Sequence, residues 1–266
     1  MAGDGSKTNP YRTIEKGFTV GSNFDTIIVK SGTYYQPGFH NWTAKRNVLG
    51  VGGADVTAPT QTVYLNTGFD SCFVRGICFD GYANSFNVRL QGCNDIRLEK
   101  CAFYNYSQAV AYYSGSNENN ITFDRCVSLG GSGGGAAMLR NDRTYTTSDT
   151  IMNCYSDDVY IVRLTTLPTY TNKRVHIYRN DCKKMYLYGN AYVTHYSNDC
   201  TNWGVFNSTT TRGRMFSKYN TITYNENQAM AYNISLNYWP LNFEGNTVNM
   251  YDGSDRDWET SFLVSL

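Results

Sequence analysis

Arg89, Arg140 and Arg163 each stand in a short run where apolar and polar residues alternate: VRLQG at 88–92, AAMLR at 136–140 and YIVRL at 160–164. If Val88 and Leu90 turn inward, Arg89 and Gln91 turn outward, because neighbouring side chains of a strand point to opposite faces. The same alternation exposes Tyr113 in AVAYY, Tyr186 and Tyr188 in MYLYG and Phe206 in GVFNS, subject to a slip of one residue in register. An outward row of Arg and Tyr suits an acidic sugar chain. Arg offers a planar fork to a carboxylate, and Tyr offers a flat ring for stacking plus a hydroxyl. The predicted substrate-binding set is Arg89, Tyr113, Arg140, Arg163, Tyr186 and Tyr188. The simpler alternative is a solvated sheet face paired across strands.

Catalysis on such a chain would need more. Removing the proton beside a uronate carboxylate takes a cation on the carboxylate and a base of lowered pKa. Arg140 and Arg163 are candidates for the first role and His176, in VHIYRN, for the second; His195, in VTHYSN, lies in a similar run. Hydrolysis instead needs two carboxyl groups facing one cleft. Asp157 and Asp158 in YSDDVY are the only adjacent carboxylates, and Asp142 lies just past the strand of Arg140. These acids complete the catalytic candidates, with a polar turn as the alternative for the Asp157-Asp158 pair. No two of the eight cysteines have CxxC spacing and only three His occur, so no metal site is expected. No cofactor is expected either, except Ca2+ if the chain is a lyase.

The elements that would position these residues repeat. NDIRLEKCAFYN at 94–105 and NNITFDRCVSLG at 119–130 share a pattern that SDTIMNCYSDD repeats, and Cys101, Cys126 and Cys154 follow one another at intervals of 25 and 28. Repeats of this length, nearly all strand and without alternating helices, indicate a parallel β-solenoid, in which each coil buries its inner face against its neighbours. A β-sandwich would show hairpin turns of NG type, and NG never occurs. Asn153, Asn180, Asn198, Asn220 and Asn246 recur at the turns, where Asn tolerates a left-handed backbone. Cys78, Cys101, Cys126 and Cys154 read as an inward stack of unpaired thiols, with disulfide bridges as the alternative. Tyr11, Ile14 and Phe18 in NPYRTIEKGF have helical spacing.

GDGSKTNPYRTIEKGF followed by DTIIVKSGTYY resembles the opening segment of right-handed parallel β-helix proteins of the pectin-lyase-like superfamily, and the N-x-I-x-F-x-x-C corner resembles their repeat. The resemblance implies an all-β, single-stranded right-handed parallel β-helix with a short N-terminal capping helix. It implies residues 1–24 as the capping segment, 25–250 as the β-helix and 251–266 as a C-terminal cap or assembly tail. The superfamily includes lyases, hydrolases, epimerases, phage tailspikes and inert coils, so fold alone names no activity. The polygalacturonase-like motifs GHG and RIK are absent from this sequence.

A formal net charge of +1 over 266 residues gives no support to nucleic-acid binding. No run of about 18 apolar residues exists, so no membrane insertion is expected. The polar start MAGDGSKTNP reads as lacking a signal peptide. The expectation is a carbohydrate-binding β-helix, a phage tailspike-like or other virion surface component that recognises host glycans, as a homotrimer and in a virion or extracellular setting. The alternative is a polysaccharide lyase or glycoside hydrolase acting on an acidic polysaccharide.

Overall fold

The computed structural model describes residues 3–35, 40–57, 63–113, 119–131, 136–141, 148–164, 174–188, 192–200, 205–208, 214–225, 233–236, 241–244, 247–251 and 263–265. Every strand pairing among them is parallel, and each strand pairs with those one coil before and one coil after. The chain therefore climbs rather than folding back. Long strands such as Phe73–Gln91 and Ala102–Tyr113 bend round corners and serve more than one face of the coil.

Three stacked faces result. On the first, Ile27, Val48, Val74, Leu98, Phe123, Ile151 and Ile177 occupy one register position in successive coils. On the second, Val56, Phe79, Phe103, Ser128, Ser156 and Cys182 do so. On the third, the corresponding column is Val63, Val88, Ala111, Leu139 and Val162. Apart from half-buried Ile27, the columns from Val48 to Ile177, Phe79 to Cys182 and Val63 to Leu139 are buried, so the alternation read from the sequence does set which side chains fill the lumen.

The N-terminal end is closed by the helix Ile14–Val20, whose Thr13 side chain accepts the N–H of Lys16. Phe18 reaches from this helix into the lumen and stacks on Trp42 at 5.3 Å; Trp42 in turn lies 6.2 Å from Phe79, and Phe79 stacks on Phe103 at 5.2 Å. Buried Arg46 donates to the carbonyls of Phe18 and Gly21, satisfying acceptors that a helix end leaves open. No helix of the described residues is long and apolar enough to cross a membrane. Near the other end, Leu263–Ser265 adds a strand beside Asn233–Leu236.

One corner explains the repeated Cys and Asn. Lys100, Arg125, Asn153, Arg179, Ser197 and Tyr219 all have φ between 51° and 55°. The residues that follow them, Cys101, Cys126, Cys154, Asn180, Asn198 and Asn220, are buried. Asn180 Oδ1 accepts the N–H of Cys154 at 2.9 Å, while its Nδ2 donates to the Ile151 carbonyl at 2.9 Å. Asn198 repeats both bonds one coil on, to the N–H of Asn180 and the carbonyl of Ile177. Cys126 Sγ copies the donor half of the pattern toward the Leu98 carbonyl at 3.2 Å. Thus Asn153 uses the left-handed tolerance expected of a corner Asn, whereas Asn180, Asn198 and Asn220 serve as an internal hydrogen-bonding ladder; Asn246 lies outside the described residues. Cys101, Cys126 and Cys154 are free thiols and form the stack. Cys78 stands apart from it: it pairs with Ala102 and is only half-buried, and Ile77 fills the column in its coil.

Candidate functional site

The third face carries the row expected from the sequence, with one substitution. Tyr64 pairs with Arg89, Arg89 with Tyr112, Tyr112 with Arg140, Arg140 with Arg163, and Arg163 with Tyr186. Six stacked strands thus bring Tyr, Arg, Tyr, Arg, Arg and Tyr to one register position, over about 24 Å at the usual strand spacing. Tyr113 pairs instead with Leu90, which is buried, so the row takes Tyr112 in its place. Tyr188 lies two residues beyond Tyr186 and pairs with Asn207. Where side chains are described, the row is tied together: Arg89 Nη1 donates to the Tyr64 hydroxyl at 3.0 Å and its guanidinium lies 5.2 Å from that ring. Arg140 Nη1 donates to Gln108 Oε1 at 2.8 Å.

The catalytic candidates are dispersed. Asp157 lies on the second face opposite Leu129, and Asp158 follows it where the register shifts between Ser156 and Tyr160, at the bend of a strand. His176 belongs to the first face, paired with Thr150 and Thr194. Asp142 lies outside the described residues, as do the side chains of Tyr113, Asp158, Arg163, Tyr186, Tyr188 and His195.

The first face holds two groupings around and beyond His176. Along the strand Arg174–Tyr178, Arg174, His176 and Tyr178 alternate with buried Val175 and Ile177 and share the outer side. The Tyr178 hydroxyl lies 2.9 Å from His176 Nδ1 and the two rings stack. Burial, and then the neighbouring Arg174 charge, hold the His176 imidazole below its ordinary value, while burial raises the Tyr178 phenol. A neutral imidazole bonded to a protonated phenol is an acid–base pair in form.

Two and three coils earlier, two carboxylates lie beneath three guanidinium groups. Glu99 and Asp124 pair in register. Arg75 donates to Glu99 at 2.6 Å, Arg125 to Glu99 at 2.5 Å and to Asp124 at 3.0 Å, and Arg97 to Asp124 at 2.7 Å. Asn153 Nδ2 adds a bond to Asp124 Oδ1 at 3.1 Å. Burial works to raise the Asp124 carboxyl, but the bonds from Asn153, Arg97 and Arg125 outweigh it and hold the group below the ordinary carboxylate range. The signal for this cluster lay in the charged pairs of LEKC and FDRC; only stacking shows that they meet.

Comparison with solved structures reveals the same architecture elsewhere. ORF18 of Geobacillus virus E2 superposes with a TM-score of 0.52 at 11% identity, over 87% of this chain and 56% of that one. The shared fold is a parallel β-helix. The chain thus spans little more than half the length of that phage protein. The pectin methylesterase of carrot covers 92% of this β-helix and 81% of itself at 13% identity and a TM-score of 0.49. The A-module of the Azotobacter vinelandii mannuronan C-5 epimerase covers 91% and 92% at 9% identity and 0.43. At these identities the likeness is one of fold alone. No protein-family model matches the sequence, and no curated protein matches it.

Proposed function

We propose that this β-helix binds an acidic polysaccharide along the outer row of its third face, as a virion surface component that recognises host glycans. One observation supports the reading: the register carries Tyr64, Arg89, Tyr112, Arg140, Arg163 and Tyr186 in line across successive strands of a rigid scaffold. Guanidinium groups would fork onto carboxylates, and tyrosine rings would take the sugar faces. The homotrimer and the virion or extracellular location belong to the same proposal. Sedimentation at several concentrations tests the first. Binding to a panel of acidic and neutral polysaccharides tests the site: acidic chains should bind, and Arg89→Ala and Arg140→Ala should weaken them. Equal retention of neutral and acidic chains by the wild type, or unchanged binding by both variants, would remove this reading.

A second reading, a polysaccharide lyase, is favoured by the Arg174, His176 and Tyr178 alternation. His176 would take the proton beside the uronate carboxylate, Arg174 would hold that carboxylate, and Tyr178 would protonate the departing sugar oxygen. Ca2+ belongs to the lyase reading as an added ion; among the described residues no group of three or more His, Cys, Asp or Glu is arranged to hold a metal ion. Absorbance from new unsaturated uronates, lost in His176→Ala, would establish elimination. Reducing ends without that absorbance would mean hydrolysis and return attention to Asp142, Asp157 and Asp158.

A further inference from the structure

We infer that Arg75, Arg97 and Arg125 form a second anion site, on the first face, that takes a carboxylate or sulfate group carried by a sugar chain. This site is vertically ordered, with the acids as its floor and the bases as its lid. Glu99 and Asp124 side chains are only 6% and 4% exposed, whereas Arg75, Arg97 and Arg125 are 44%, 47% and 48% exposed. An approaching ligand meets N–H donors rather than carboxylate oxygens. The charge does not cancel, since three guanidinium groups over two carboxylates leave one positive charge.

The guanidinium groups are also held in place before any ligand arrives. Arg75 and Arg125 bond opposite oxygens of Glu99, while Arg97 and Arg125 converge on one oxygen of Asp124. Arg75 lies 5.1 Å from the Phe73 ring, which fixes its plane from a further side. Each arginine spends one or two donors on the floor, out of the five that a guanidinium carries. The remainder are oriented without the rotamer cost that a free surface arginine would meet on binding. Tyr196, 37% exposed, and Tyr219, 48% exposed, pack edge-to-face at 5.4 Å further along the same side of the coil. They supply aromatic surface for the sugar rings of a chain anchored at the arginines.

The ligand class rests on the acidic-polysaccharide reading, but the location does not rest on the third-face row. Calorimetric titration of defined oligogalacturonates into the wild type, Arg97→Gln and Arg140→Ala separates the two. Arg97→Gln suits the purpose because Arg125 still covers Asp124 and the glutamine keeps the polar stem; thermal melting checks that the fold survives. Loss of a charge-assisted bond should weaken binding about tenfold in Arg97→Gln. That loss with Arg140→Ala unchanged supports the first-face site and removes the third-face one. Loss in both variants supports both sites. Wild-type affinity in Arg97→Gln overturns the inference whatever Arg140→Ala does, and no binding by the wild type overturns it together with the ligand class on which it rests.

Discussion

The backbone N–H of Cys154 donates to Asn180 Oδ1 at 2.9 Å, and at that bond a column of thiols becomes a column of amides. The two residue types are interchangeable in position but unequal in bonding. Asn180 closes two bonds to the preceding coil, to the N–H of Cys154 and the carbonyl of Ile151. Asn180→Ala should orphan both buried groups, each at a cost of about 1–3 kcal/mol. A urea midpoint unchanged from wild type would show that the ladder carries no stability.

The capping helix should matter through a single ring. Phe18 covers Trp42 and approaches Phe69 at 5.9 Å. Phe18→Ala would open a cavity over the first coil, at about 3–5 kcal/mol if the site cannot collapse. Thermal melting of Phe18→Ala beside the exposed Val20→Ala should show a large loss for the first and almost none for the second.

Acid should weaken the protein in two steps of the same sign. The folded-state value of His176 is depressed, so the unfolded chain binds its proton more readily. Its contribution is full above the ordinary value of about 6.5 and is lost as pH falls through the folded one. Asp124 is depressed as well, so its contribution holds above about 3.9 and vanishes at lower pH. Urea midpoints between pH 7 and pH 3 should therefore fall with acid, and His176→Asn should flatten only the upper step. A midpoint that rises on acidification would contradict both assignments.

Thiol reactivity should follow burial. Burial pushes Cys101 and Cys154 well above the ordinary thiol range, and burial, with the Asp70 charge, pushes Cys72 up to about 11. Half-buried Cys78 should therefore alkylate first in the native protein, and Cys101 and Cys154 only after unfolding. Peptide mapping after timed iodoacetamide treatment reads this order directly.

The fold was legible because every coil imposes the same requirement. Cys101 and Cys126 are spaced as they are since each must reach the same corner, and Phe18 has helical spacing because the lumen needs a lid. The site was legible only in part. Register slips against the neighbouring coil between Asp80 and Asn84 and again between Asn84 and Phe86, which moves Tyr112 rather than Tyr113 into line with Arg89. Such bends consume residues without leaving a composition signal. Cys78 misleads for a related reason, as it lies near one repeat from Cys101 but one residue past the column. The arginine cluster was hidden because Glu99 and Asp124 are distant in sequence and adjacent only across coils.

The parallel stacking described for every strand also dictates how damage spreads. Each coil touches only the one below and the one above, so the molecule melts as a zipper rather than as a droplet. A defect beside Asn180 would loosen its immediate neighbours and leave the Arg75 cluster coupled to it only through the intervening coils. Amide exchange should accordingly report a gradient along the axis, with the aromatic-filled coils around Phe79 and Phe103 among the last to open.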